Sequence, residues 1–223
     1  MDKSYAAAAQ DKITHYVTDL FKPEDPLLTD VRKTAATAGL PDIHVGRMDG
    51  LHLEVLVRAI GARKAVEIGT LAGYSGVCIA RGMGPQGKLY TFEYEPKHAD
   101  VARQTFKKAG LSEQIEIFVG PAIQNLSKIE AHGPFDLVFI DADKTSYPAY
   151  LKWAADHLRV GGVVLGDNTF AWGGIADEHF DNAEEEASVR ALQAFNREAA
   201  CGGRFRSTLL PTGEGLTLGV KIR

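Results

Sequence analysis

The chain is poor in cysteine. It has two, Cys78 and Cys201, too few for a disulfide framework, so a reduced, cytoplasmic setting is expected. It has no large excess of either charge: the net charge is −4 at pH 7. No basic face for nucleic acid is implied. It has no run of about 20 apolar residues, so no membrane span is expected. The opening segment, M-D-K-S-Y-A-A-A-A-Q-D-K, contains alanines but no bulky apolar centre, and no signal peptide is expected. The seven histidines, at 15, 44, 52, 98, 132, 157 and 179, show no metal-ligand spacing. Internal repeats and low-complexity linkers are missing as well. What remains is 223 residues of ordinary apolar content, enough for one α/β domain with a large core.

The first 60 residues read as a helical preface and residues 61–223 as a sheet-based unit. Residues 4–20 are expected to be helical, with Ile13, Tyr16, Val17 and Leu20 on one face. Pro23 and Pro26 break that helix. Further helices are expected at 27–38, ending at Gly39-Leu40-Pro41, and at 51–60. Strands are then expected at 65–68, 88–92, 115–119, 137–140 and 160–165, with helices at 74–82, 96–109, 122–130 and 146–158 between them. This alternation predicts a Rossmann-like, doubly wound and mostly parallel sheet. After a helix at 187–199, strands at 204–210 and 215–222 are separated only by a short T-G-E-G turn, so they must pair antiparallel. The expected sheet thus has seven strands and a C-terminal hairpin.

The glycine-rich turn after the first strand, A-V-E-I-G-T-L-A-G-Y-S-G, lacks two familiar signatures. Leu71 occupies the second glycine of the dinucleotide fingerprint, and no lysine stands before Ser75 to make a phosphate loop. Gly69, Gly73 and Gly76 still allow close backbone approach to a ligand. Glu67 before the turn suits a ligand with an ammonium group and repels phosphates; the alternative reading is a surface glutamate beside a plain strand-to-helix turn. Glu93 closes the second strand, where an acid reads ribose hydroxyls in nucleotide-binding α/β folds. Gly120–Ala122 closes the third, offering a small platform for a flat ring.

The sharpest signal is F-D-L-V-F-I-D-A-D-K, 135–144, read with G-D-N at 166–168. Two apolar runs end in Asp141 and in Asp167-Asn168. If they are neighbouring parallel strands, two carboxylates, one amide oxygen and Lys144 converge on one small volume. Hard oxygen donors of this kind suit Mg²⁺, Mn²⁺ or Ca²⁺. A lysine beside such a cation is a candidate base, because the cation's field favours the neutral amine.

These stretches together, V-E-I-G-T-L-A-G-Y-S, F-D-L-V-F-I-D-A-D-K-T-S-Y-P-A-Y and G-G-V-V-L-G-D-N-T-F-A-W-G-G, resemble the cation-dependent class I O-methyltransferases of the catechol and caffeoyl-CoA type. The resemblance covers roughly residues 40–223. It implies that S-adenosylmethionine is held by Val45, Glu67, Gly69, Thr70, Ser75, Glu93, Ala122 and Asp143. It implies a divalent cation, Mg²⁺ first, on Asp141, Asp167 and Asn168, with Lys144 as the base and Asp141 beside it in catalysis. It also implies a homodimer and a small aromatic acceptor. The segment before the third helix, V-G-R-M-D-G-L-H-L, lacks the family's usual glutamine, and the loop after Trp172 is longer and more acidic than usual.

The reaction this implies is in-line displacement at a sulfonium methyl group by an oxygen whose proton Lys144 removes. Two other functions compete: an NAD(P)-dependent oxidoreductase on a similar sheet, and a non-catalytic adenosyl-binding protein. Trp172 and Tyr147 have two readings, a sandwich around an aromatic acceptor or ordinary packing. Cys78 reads as a small buried apolar residue, Cys201 as a helix-end residue, and Glu184–Glu186 as a solvated helix entry.

Overall fold

Runs that are apolar at every position make the central strands. In β4 (Phe135–Ile140) every residue but Asp136 is buried, the pattern of a parallel strand covered on both faces. A computed structural model describes residues 3–223, with side chains from residue 12 onward. The remaining strands are β1 (Lys64–Ile68), β2 (Lys88–Glu93), β3 (Ile115–Val119), β5 (Leu158–Gly166), β6 (Phe205–Leu210) and β7 (Leu216–Lys221). They form one sheet of order β3-β2-β1-β4-β5-β7-β6. The first five run parallel; β7 pairs antiparallel with both β5 and β6. This is the Rossmann-like sheet and terminal hairpin read from the sequence.

Helices cover both faces. α2 (Pro26–Thr37), α3 (Arg47–Ala59), α4 (Tyr74–Met83) and α5 (Pro96–Lys108) share a core with Ala65, Leu89, Leu137 and Phe139. α7 (Tyr147–His157) and α8 (Ala183–Cys201) pack on the other face with Val66, Ile68, Phe92, Phe135 and Val138. Each large side chain fully buried there contributes ~1.5–3 kcal/mol. Local chemistry fixes the helix starts. Asp25 accepts the Leu28 N–H at 2.9 Å ahead of Pro26, and Asn182 accepts the Glu185 N–H at 2.9 Å.

Two helical expectations change. The helix expected over 122–130 is a short α6 (Ala122–Asn125) running into a 3₁₀ segment at Leu126–His132. The helix expected from 146 begins at Tyr147, after a 3₁₀ turn at Lys144–Ser146. Pro148 explains the second: its fixed φ suits the first turn of a helix. α1 (Lys3–Phe21) forms as read, but Ile13, Tyr16 and Leu20 on its apolar face are exposed. No described helix is long and apolar enough to cross a membrane.

Strand order reverses between β1 and β4, where the chain crosses to opposite sides of the sheet. A crevice opens there at the carboxyl ends of the strands. In this protein it is a cavity of about 890 Å³.

Candidate functional site

The turn after β1 makes the floor of the cavity. Gly69 has φ 103°, and a Cβ there would lie 1.8 Å from the Asp141 carbonyl oxygen. Only glycine allows β1 and β4 to end so close together. Gly73, also left-handed at φ 87°, starts α4. Glu93 ties this turn to β2. Its Oε2 accepts the N–H of Leu71 at 2.7 Å and of Thr70 at 3.3 Å, while Oε1 accepts the Glu95 N–H at 2.9 Å. Gly69, Thr70, Ser75, Glu93, Ala122, Asp143 and Val45 all line the cavity. Seven of the eight positions expected to hold the methyl donor therefore line one cavity. Asp143 is fixed by the Tyr150 hydroxyl, which donates to its Oδ1 at 2.8 Å.

Glu67 departs from the expectation. Strand alternation turns it, like Ala65, to the face that α4 covers, and it is fully buried beneath the turn instead of on the cavity wall. Thr91 donates to its Oε2 at 2.6 Å, and its Oε1 has no partner among the described residues. Burial pushes its carboxyl up to about 8.

The carboxyl ends of β4 and β5 bring the second set together. Asp141, Asn168 and Lys144 line the cavity, and Asp167 lies just beneath it, 2% exposed. The Lys144 ammonium is 3.2 Å from Asp141 Oδ1 and 2.6 Å from Asn168 Oδ1. It also donates to the Tyr147 hydroxyl at 2.8 Å. Burial first, and then the neighbouring Asp141 carboxylate, push Asp167 up to about 7. The arrangement fits a hard divalent cation on two grounds. The Asp141 and Asp167 carboxylates repel each other, which a bound cation would relieve. The positive charge now facing Asp141 and Asn168 is an ammonium at a position where a cation would find the same oxygens. Among the described residues no group of three or more His, Cys, Asp or Glu side chains could hold a metal; the set here is two carboxylates and an amide.

Around this cluster the aromatic reading divides. Tyr147 is fully buried; its hydroxyl bonds the carbonyls of Ile140 at 3.1 Å and Asp167 at 2.9 Å, and its ring packs edge-on against Phe195. It supports Lys144 from below and cannot sandwich an acceptor. Trp172 lines the cavity and is 66% exposed, so it alone keeps that role. Cys78 is a buried core residue whose thiol burial pushes up to about 12. Cys201 closes α8, and Glu184–Glu186 form its exposed first turn.

Some site residues escaped the sequence. Glu214, from the turn between β6 and β7, donates no signal of its own there yet lines the cavity and accepts a hydrogen bond from the Asn168 amide. Its T-G-E-G setting reads only as a turn. Arg32 of α2 donates to the Val45 carbonyl at 2.7 Å, pairs with Glu24 at 2.5 Å and stacks on Tyr74, 4.3 Å from the ring centre. It thereby braces residues 42–45, which line the cavity. His98, facing Glu93 Oε1 at 3.5 Å, also lines it.

Known proteins share this architecture. A family model described as O-methyltransferase matches residues 18–222. A catechol O-methyltransferase of Mycobacterium tuberculosis is 46% identical over 170 residues, 76% of each chain. Another of that name, from Niastella koreensis, is 37% identical over 202 residues, 90% of each chain. The crystal structure of an O-methyltransferase from Bacillus cereus in complex with SAH superposes with a TM-score of 0.86 at 36% identity, covering 94% of this chain and 97% of that one.

Proposed function

The chain belongs to the O-methyltransferase family, and from that premise we propose that it methylates one hydroxyl of a vicinal-dihydroxy, catechol-like aromatic acceptor. The donor is S-adenosylmethionine, and Asp141, Asp167 and Asn168 hold a divalent cation, Mg²⁺ first. The observation that carries this reading is the meeting of Lys144 with two acidic strand ends and an amide oxygen, beside the wall that Glu93 closes. The relatives named catechol O-methyltransferase support the acceptor class. The alternatives lose support in the same place. A nicotinamide enzyme leaves Leu71 at the second fingerprint glycine unexplained, and a non-catalytic binder needs no half-buried lysine against this oxygen cluster.

When bound, the cation supplies Lewis acidity that favours the ionised form of a chelated hydroxyl and fixes the acceptor's orientation. The chain's own residues do the rest. Glu93 holds the Thr70 and Leu71 backbone in the shape that cradles the donor. Arg32 braces another part of the cavity lining through the Val45 carbonyl. Trp172 offers a flat apolar face at the mouth. Lys144, once its own proton has left, accepts the acceptor's hydroxyl proton at Nζ, and Tyr147 keeps that nitrogen in place. Positioning of this kind is worth ~7–11 kcal/mol for well-oriented reactants. The exposed stripe Ile13, Tyr16 and Leu20 on α1 supports the homodimer that the family resemblance implies.

The test is a methyl-transfer panel with Mg²⁺ present: catechol, its regioisomer with hydroxyls opposed, and phenol. Transfer to catechol alone is expected. Equal rates on phenol show that two adjacent oxygens are not required and overturn the acceptor assignment.

A further inference from the structure

The tip of the C-terminal hairpin carries a carboxylate that the reaction as derived does not use. Glu214 stands between β6 and β7, and its Oε2 accepts a hydrogen bond from Asn168 Nδ2. The other end of the same amide, Oδ1, is 2.6 Å from the Lys144 ammonium. The two neighbours decide which way the amide points. A carboxylate only accepts, so the NH₂ must face Glu214; an ammonium only donates, so the oxygen must face Lys144.

That orientation matters because an amide has one usable ligand atom. Its oxygen can bind a hard cation, and its nitrogen cannot. A partner on the NH₂ side adds to the Lys144 contact in disfavouring the rotated form, which would present nitrogen to the same spot. We propose that Glu214 is a positioning residue that locks the Asn168 amide with Oδ1 turned toward the cation position; the proposal rests on the cation reading given above.

The backbone shows how the hairpin delivers this carboxylate. The N–H groups of Thr169 and Phe170 donate to the carbonyls of Gly215 and Glu214, both at 3.0 Å, and the Thr169 hydroxyl donates to the Gly215 carbonyl at 3.0 Å. Gly215 has φ 77°, and a Cβ there would lie 2.6 Å from Phe170. The tip therefore sits against the loop after β5 with no room for a side chain at that residue. Asn168 itself has φ 55°, a left-handed conformation that asparagine tolerates better than most residues. Both ends of the contact are thus set by the main chain, and the hairpin has a role at the site beyond closing the sheet.

The experiment is a Mn²⁺ titration followed by electron paramagnetic resonance, on the wild-type protein, Glu214→Ala and Glu214→Gln. S-adenosylhomocysteine affinity is measured in parallel by calorimetry to show that each variant is folded. Wild type binds Mn²⁺, Glu214→Ala binds it roughly 10–100-fold more weakly, the usual cost of losing a partner of a metal ligand. Glu214→Gln, which keeps an acceptor oxygen but not the charge, stays near wild type. Equal Mn²⁺ affinity in wild type and Glu214→Ala overturns the proposal. So does an equal loss in the Gln and Ala variants, which marks an effect of charge alone. No Mn²⁺ binding by the wild type sinks the cation reading itself, and the proposal with it. An Asn168→Asp background decides the case even if Glu214→Ala also loses S-adenosylhomocysteine. There both side-chain atoms are oxygen, so adding Glu214→Ala costs no further Mn²⁺ affinity; the same cost in both backgrounds contradicts an orienting role.

Discussion

Lys144 is held by three partners, and each bears on its chemistry. Two are oxygens of the proposed cation set and the third is a fully buried tyrosine hydroxyl. Replacing it with methionine keeps the length and removes the base. Lys144→Met is expected to slow the single-turnover methyl-transfer rate by roughly 10²–10⁴-fold, with S-adenosylhomocysteine affinity unchanged by calorimetry. A wild-type single-turnover rate assigns the proton to another group. Glu67 gives a separate expectation, for stability. Its carboxyl is raised from an ordinary 4.5 to about 8 in the folded protein, chiefly by burial. The stabilisation from holding it protonated is fully present below the unfolded value. It is lost as pH rises from about 4.5 to about 8, and above that the loss is complete. Urea unfolding of the wild type against Glu67→Gln, in chelator, should show the variant gaining on the order of a few kcal/mol relative to wild type across that window. A pH-independent difference shows that Glu67 ionises normally in the fold. The sequence could place Glu67 at the end of β1 but could not say which face it takes. One residue of register separates a ligand contact from burial under α4.

At the scale of elements, the strand ends do the assembling. Gly69 lets β1 and β4 finish in contact, and so brings the donor turn to Asp141. Gly69→Ala meets the Asp141 carbonyl and a left-handed backbone together. The left-handed conformation alone costs roughly 1–2 kcal/mol, and the displaced β4 end should weaken S-adenosylhomocysteine binding as well. Denaturant unfolding and calorimetry on the same sample check both; an unperturbed midpoint shows that the turn can relax. Periodicity, turn residues and strand-end acids made the alternation of strands and helices legible, along with the convergence of Asp141, Asp167 and Asn168. What stayed hidden were contacts between segments far apart in the chain. Glu214 lies 46 residues from Asn168, and Arg32 13 residues from the Val45 carbonyl it braces. Neither leaves a local pattern. The burial of Tyr147 was also beyond reach, since the Y-x-x-Y spacing fits a helix face and does not say whether that face meets a ligand or α8.

For the whole molecule, the sheet divides the labour. One side of the switch point, from β1 to β3, supplies five of the residues proposed for the donor, Gly69, Thr70, Ser75, Glu93 and Ala122; the other, from β4 through the hairpin, supplies the oxygen cluster, Lys144 and Trp172. The chemistry then depends on both halves being filled. The exposed apolar stripe on α1 adds an expectation about assembly: sedimentation velocity should show a dimer, and a monomer at micromolar concentration removes that stripe as an interface. The central claim is that a cation and Lys144 act on a catechol-type acceptor together. The most direct measurement is transfer of a labelled methyl group from S-adenosylmethionine to catechol by the metal-stripped enzyme. It is run in chelator and again after Mg²⁺ is restored. No product in chelator, and full transfer on adding Mg²⁺ to the wild type but not to Asp167→Ala, is the predicted result. Undiminished transfer in excess chelator contradicts the account.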